Sequence, residues 1–180
     1  GRPIVLVLNE GRPRIINDIE PLATAVVDIL LPGNYGADAL ASLLAGEENF
    51  SGKLPFTYPK YTNKFAVYDY KPSENQGTMA GAYNYNAVMD VQWPFGYGMS
   101  YTTFDFSDFE FTEGADAFTV SVNVTNTGDT AAKKTVQIYF QSPYTDYDRQ
   151  NGIEKASVEL CGFDKTDVLD PGGGLVERVD

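Results

Sequence analysis

Two rhythms of apolar and polar positions divide the chain. Up to about residue 60 the apolar residues come in short unbroken runs, "IVLVL" at 4–8 and "AVVDILL" at 25–31. Runs of this kind suit strands buried on both faces of a parallel sheet, which need neighbours and covering helices on either side. Between them Ile15, Ile16, Ile19 and Leu22 fall at helical spacing, with Pro21 placed to end or kink that helix. Residues 37–45 predict a second helix, with Leu40, Leu43 and Leu44 on one face and Gly46 just past its end. "KLPFTYP" at 53–59 predicts a third strand. Strand alternating with helix implies right-handed parallel crossovers and only part of a sheet.

From residue 104 the period becomes two. "FTVSVNVT" at 118–125 sets Phe118, Val120, Val122 and Val124 against Thr119, Ser121, Asn123 and Thr125, a half-buried antiparallel strand. "TVQIYFQ" at 135–141 repeats the pattern. In "FDFSDFEF" at 104–111 the alternation slips between Phe106 and Phe109, and a bulge at Ser107 and Asp108 would restore the phase. "ASVELCGF" at 156–163 and "LVERVD" at 175–180 add two strands, with "DPGGG" at 170–174 as the turn between them. Five short strands point to a β-sandwich with fewer strands than the usual seven or so. The expected organisation is an α/β portion over 1–60, a connecting segment over 61–103 and a β-sandwich over 104–180. Both ends read as cuts through a larger architecture.

Charge follows the same division. Residues 1–103 hold ten acidic and seven basic side chains, and residues 104–180 hold fifteen and six, within a net charge of -12. That acidity argues against nucleic acid, because Lys133 and Lys134 form the only adjacent basic pair. Cys161 is alone and histidine is absent, so neither an intrachain disulfide nor a Cys/His zinc site can form, and no metal or other cofactor is expected. No apolar run reaches membrane-spanning length. The compartment stays open between cytoplasm and secretion, with the cytoplasm favoured.

Several chemical motifs fail on inspection. "GEENFSGKL" has the wrong glycine spacing for a phosphate loop, and Leu54 stands where a magnesium-binding hydroxyl belongs. "GYGMSY" puts Tyr101 at the third glycine of a dinucleotide fingerprint. A Ser-His-Asp triad is impossible without histidine. Paired carboxylates remain, and Glu10, Glu47, Glu48 and the Asp164/Asp167 pair are candidates on paper, each more simply read as a solvated or capping group. Asn49-Phe50-Ser51 and Asn123-Val124-Thr125 match glycosylation sequons.

"NFSGKLPFTYP", "WPFGYGMSYTTF" at 93–104 and "VSVNVTNTGDTAAKKTVQIYFQSP" follow one another in an order that resembles the carboxy-terminal half of glycoside hydrolase family 3, the β-glucosidase family. "GRPRII", "LLPGNYGADALASLLAGEENFSGKLP" and "ELCGFDKTDVLDPGG" extend the likeness over nearly the whole chain. Phe50 departs from the family's proline and Met99 from its leucine. The resemblance implies the end of an α/β sandwich domain followed by a fibronectin type III-like domain. It also implies retaining, exo-acting hydrolysis of terminal nonreducing β-linked sugars by the full-length enzyme. The nucleophilic aspartate lies in a barrel domain and the acid/base glutamate upstream of the strand matched by 4–8. Neither maps onto this chain, so no catalytic residue is assigned.

The stretch 93–104 then reads as a joint, with Phe95, Tyr97, Tyr101 and Phe104 wedged between the two portions and Gly96 and Gly98 allowing tight turns. A sugar-stacking platform is the rival reading, with Trp93, Tyr83 and Tyr85 as its candidates. For the chain as a whole the readings are a non-catalytic region of a β-glucosidase-like hydrolase or a stand-alone carbohydrate-binding or structural module. In the first reading the partners are a β-linked oligosaccharide or glucoside and the missing barrel, with no nucleic acid and no membrane. Uncovered strand edges and apolar faces predict that the fragment self-associates.

Overall fold

The computed structural model of the chain describes residues 1–62, 91–153, 155–156 and 158–179. It begins with β1 (Val5–Leu8) and β2 (Ala25–Asp28), paired in parallel with Val5 opposite Ala25 and Leu8 opposite Asp28. The segment between them is not the expected helix. It makes one 3-10 turn at Glu20–Leu22, held by the Ile19 N–H on the Ile16 carbonyl and the Leu22 N–H on the Ile19 carbonyl. Pro21 has no N–H to continue an α-helical ladder, and Ile16 alone of the four apolar residues is buried.

Helix α1 (Gly36–Ala45) appears where the spacing predicts it. Gly46 ends it in the left-handed region at φ 77°, its N–H donating to the Leu43 carbonyl at 3.2 Å. Residues 53–59 do not become a third parallel strand. Only β3 (Tyr58–Pro59) is regular, and it pairs antiparallel with β4 (Val91–Trp93), Tyr58 opposite Trp93. The proline at each end of "PFTYP" removes a ladder donor, which limits regular pairing. Leu8, Ile16 and Tyr58 form the core of this half, with Leu6, Val26, Leu54, Phe56 and Trp93 packed around them.

The second half holds β5 (Phe104–Glu113), β6 (Phe118–Asn126), β7 (Thr135–Phe140), β8 (Glu159–Lys165) and β9 (Gly174–Val179). A short helix, α2 (Asp146–Gln150), lies between β7 and β8. One antiparallel sheet has the order β5-β6-β9 and the other pairs β7 with β8. The predicted bulge is present: the β5–β6 register shifts between Ser107 and Glu110, with Asp108 at φ 54°. Phe106 therefore stands opposite Val124 and Phe111 opposite Val120, both on the core face of β6. Val122, Val124, Val136 and Leu169 are the buried core, joined by Phe104, Ile138 and Leu175.

Asn126 ends β6 and is fully buried. Its Oδ1 accepts from Thr102 Oγ1 at 2.7 Å and from the Gly128 N–H at 3.1 Å. Its Nδ2 donates to the Thr130 and Leu169 carbonyls, each at 2.8 Å. One amide thus ties the joint, the turn after β6 and the loop before β9. Gly128 must be glycine, because a Cβ there would collide with the Thr102 hydroxyl.

Candidate functional site

The two halves meet where residues 49–54 cross 96–104. The Leu54 N–H donates to the Tyr97 carbonyl and the Gly96 N–H to the Leu54 carbonyl, both at 2.8 Å. Gly96 takes φ 77°, and at Gly98 a Cβ would stand 2.5 Å from the Gly52 carbonyl oxygen. The first glycine supplies a left-handed turn and the second a close backbone approach.

Asn49 clasps this crossing. Its Oδ1 accepts from Ser100 Oγ and from the Tyr101 N–H, each at 3.0 Å. The Tyr101 hydroxyl donates to the Leu43 carbonyl at 2.8 Å, and its ring meets Phe50 edge-on at 5.5 Å. From the other side Thr135 Oγ1 donates to the Ser51 carbonyl at 3.0 Å and Lys165 Nζ to Ser51 Oγ at 3.3 Å. Ring burial contributes less than expected, since Tyr97 and Tyr101 are 42% and 49% exposed and Phe104 joins the β core. Backbone and amide hydrogen bonds fix the crossing.

A cleft of about 330 Å³ opens at this seam. Lys53, Lys133 and Lys134 line it together with Phe50, Met99 and Phe104. Lys53 Nζ donates to the Gly98 carbonyl. Burial, and then the charges of Lys134 and Lys165, hold the Lys53 amine below its ordinary pKa, and burial does the same to Lys134. Lys134 Nζ sits 5.3 Å from the Phe104 ring centroid and 5.5 Å from that of Phe106.

The residues singled out from sequence fall in different places. Trp93 is half-buried and packs edge-on against Tyr58, ring centroids 5.2 Å apart. Tyr83 and Tyr85 lie outside the described residues. Glu10 is buried and accepts from the Tyr58 hydroxyl at 2.8 Å. Burial and that hydrogen bond push the Tyr58 phenol well above its usual pKa. Glu47, Glu48, Asp164 and Asp167 are exposed. Asp164 and Asp167 do stand near Glu177, whose carboxyl is pushed up by burial and then by their two charges. None of these carboxylates lines the seam cleft. At the Asn49 sequon the Nδ2 atom is buried, so a glycan there is incompatible with the clasp.

Asn49, Asn126 and the lysine group were not legible as functional positions in the pattern. Lys133 and Lys134 did stand out as the sole adjacent basic pair, but their convergence with Lys53 depends on the crossing.

A parallel α/β portion clasped through a glycine-turned joint to an open all-β portion defines the class: one segment of a multidomain α/β plus all-β protein. The model of the glycosyl hydrolase family 3 C-terminal domain matches residues 1–101. The chain belongs to glycosyl hydrolase family 3. It is 33% identical over 184 residues to a periplasmic β-glucosidase of Salmonella typhimurium, covering 96% of this chain and 23% of that protein. It is 32% identical over 177 residues to a putative β-xylosidase of Formosa agariphila, covering 96% and 22%. The crystal structure of a β-glucosidase from Listeria innocua in complex with isofagomine matches with a TM-score of 0.79 and 27% identity, over 99% of this chain and 25% of that one. The chain thus spans about a quarter of the length of these relatives.

Proposed function

We propose that this chain serves as a non-catalytic carboxy-terminal region of a retaining, exo-acting β-glycosidase of the β-glucosidase type. In this reading residues 1–60 are the end of an α/β sandwich domain, 61–103 the connecting segment and 104–180 a fibronectin type III-like domain. The observation that carries it is the seam at residues 49–51, where Asn49 holds the connecting segment at Ser100 and Tyr101 and Ser51 accepts from Thr135 and Lys165 of the all-β half. Relatives named β-glucosidase and β-xylosidase match across both halves.

Retaining hydrolysis needs a nucleophilic carboxylate and an acid/base carboxyl roughly 5–5.5 Å apart across the scissile bond. Glu10 is committed to Tyr58, and the other carboxylates considered are solvated. As the family resemblance implies, the catalytic pair in this reading belongs to a barrel domain and to an upstream portion of the same enzyme. This chain would hold that machinery in register and meet the β-linked sugar only as part of the whole. The purified 180-residue chain should give no release of nitrophenol from aryl β-glucosides above a buffer blank. Turnover that follows the protein through purification would overturn the reading.

The same reading treats Trp93 as a packing residue, with the sugar platform of Trp93, Tyr83 and Tyr85 as its competitor. Trp93 is the chain's single tryptophan, so its fluorescence reports one site. Its emission should not change on titration with glucose or cellobiose. A saturable shift would establish the platform.

A further inference from the structure

The lysines at the seam lack what lysines in an acidic protein normally have. Against a net charge of -12, Lys53, Lys133, Lys134 and Lys165 form no ion pair among the described residues, while Lys155 and Arg149 pair with Asp148 and Asp146. Lys53 comes from the α/β half, and Lys133, Lys134 and Lys165 come from the all-β half. Like charges are thus brought together from both sides of a joint.

Both sides are held in place. Lys53 is anchored by its bond to the Gly98 carbonyl, and the neighbouring Leu54 by its backbone bonds to Gly96 and Tyr97. Lys134 is fixed by its N–H on Thr166 Oγ1 at 2.9 Å and its carbonyl on the Thr166 N–H at 3.0 Å, and Thr166 is buried. Between them lies the cleft of about 330 Å³, ample for a small ion, with Phe50 and Phe104 in its wall. A partly desolvated lysine pair without a carboxylate has a large electrostatic incentive to take up a counter-charge.

We propose that the seam cleft is a binding site for a small doubly charged oxyanion of the phosphate or sulfate class, held between Lys53 and Lys134. Lys133 and Lys165 add to the positive field. An anion there bridges the two halves, so its binding and their clasping are coupled. The site requires no sugar and stands independently of the glycosidase reading.

The test is a calorimetric titration of the 180-residue chain with inorganic phosphate and with sulfate, ionic strength held constant with sodium chloride. Saturable binding at a single site is expected for both. Lys134→Gln and Lys53→Met should each weaken it roughly tenfold, the change expected on losing one charge-assisted hydrogen bond. Lys60→Gln, which removes a lysine stacked on Tyr61 away from the cleft lining, should leave it unchanged. Lys134→Gln is the informative variant if Lys53→Met fails to fold, since it leaves the Gly98 bond in place. Absence of saturable binding overturns the proposal, as does equal affinity in wild type and folded Lys134→Gln, or an equal loss in Lys60→Gln.

Discussion

The α/β half and the all-β half solve the same problem, burying apolar surface in a small segment, to different degrees. In the all-β half β6 alternates strictly, with Val120, Val122, Val124 and Asn126 buried and their neighbours half-buried. Val122 and Val124 pack in one cluster with Val136 of the facing sheet and Leu169, so much of the strand's pattern is satisfied within the described residues. In the α/β half β1 is apolar throughout but runs from exposed Val5 to buried Leu8. Ile4, Val5, Leu22 and Leu31 are 56%, 45%, 72% and 73% exposed. A one-faced strand completes itself with one partner sheet, whereas a strand apolar on both faces needs two. The two halves also use buried polar groups differently. The Asn126 side chain makes four bonds that organise three segments, while Glu10 and Tyr58 secure one strand end against another.

Removing the Asn126 amide should break the more complete half. Asn126→Ala leaves Thr102 Oγ1, the Gly128 N–H and the Thr130 carbonyl without their partner, while the Leu169 carbonyl keeps the Ala132 N–H at 3.1 Å. A cost on the order of 4 kcal/mol follows from several buried groups left unsatisfied together. Denaturant unfolding should show the loss, and hydrogen exchange should place it first in β5, β6 and β9. Unchanged protection in those strands would mean that the hydrophobic core alone holds them.

The α/β half should be more sensitive to Tyr58→Phe. The ring stays, but Glu10 loses a donor and the Arg14 N–H loses its acceptor at 3.2 Å. About 2 kcal/mol is expected. The Tyr58 pKa is raised on folding, so its contribution is fully present below the ordinary phenol value near 10 and fades as pH rises above it. Wild type should therefore lose exchange protection in β1 and β3 in alkali, and Tyr58→Phe should lack that component.

Both halves expose apolar side chains, Leu22 and Leu31 in one and Phe109 and Phe163 in the other, and it is the uncovered second face of β1 that makes the α/β half the expected route of self-association. Leu31→Glu places a charge on a residue 73% exposed and should reduce light scattering at a given concentration while changing stability by less than about 0.5 kcal/mol. Phe163→Glu, 67% exposed on β8 in the other half, should reduce it less. The reverse order would place the sticky surface on the sandwich.

The same contrast explains which elements could be read in advance. Alternation is a local property, so β6, β7 and even the phase-restoring break at Ser107 and Asp108 are visible in the pattern. Helix α1 carried both its apolar spacing and its glycine stop. The spacing at 15–22 misled because Pro21 leaves room for a single turn. Residues 53–59 looked like another parallel strand, but their partner is 91–98, a pairing that no local pattern encodes. The seam was half legible: its glycines and aromatics were conspicuous, whereas Asn49, Asn126 and the converging lysines take their roles from segments far away in sequence. Helix α2 is too short for a periodic signal.

The smallest expected effect lies in that helix, and it sets the two halves at opposite ends of the pH scale. Thr145 and Asp148 form a capping box, with the Thr145 N–H and hydroxyl both donating to Asp148 Oδ2 at 2.7 Å. Lys155 Nζ donates to the same oxygen at 2.9 Å. The Lys155 bond first, and then those from Thr145, hold the Asp148 carboxyl down at about 2 against an ordinary 3.8. A depressed folded pKa means that the contribution is fully present above the unfolded value and is lost as pH falls from 3.8 through about 2. Exchange protection of Asp146–Gln150 should therefore decline over that interval in wild type, at a pH where Tyr58 still holds the α/β half. Asp148→Asn keeps the shape but gives up the charge on which Lys155 depends. It should show lower protection in α2 at neutral pH and a flat response through the acid interval. A variant that still titrates there would place the acid-sensitive group elsewhere, with Glu177 and its neighbours Asp164 and Asp167 the next to be replaced.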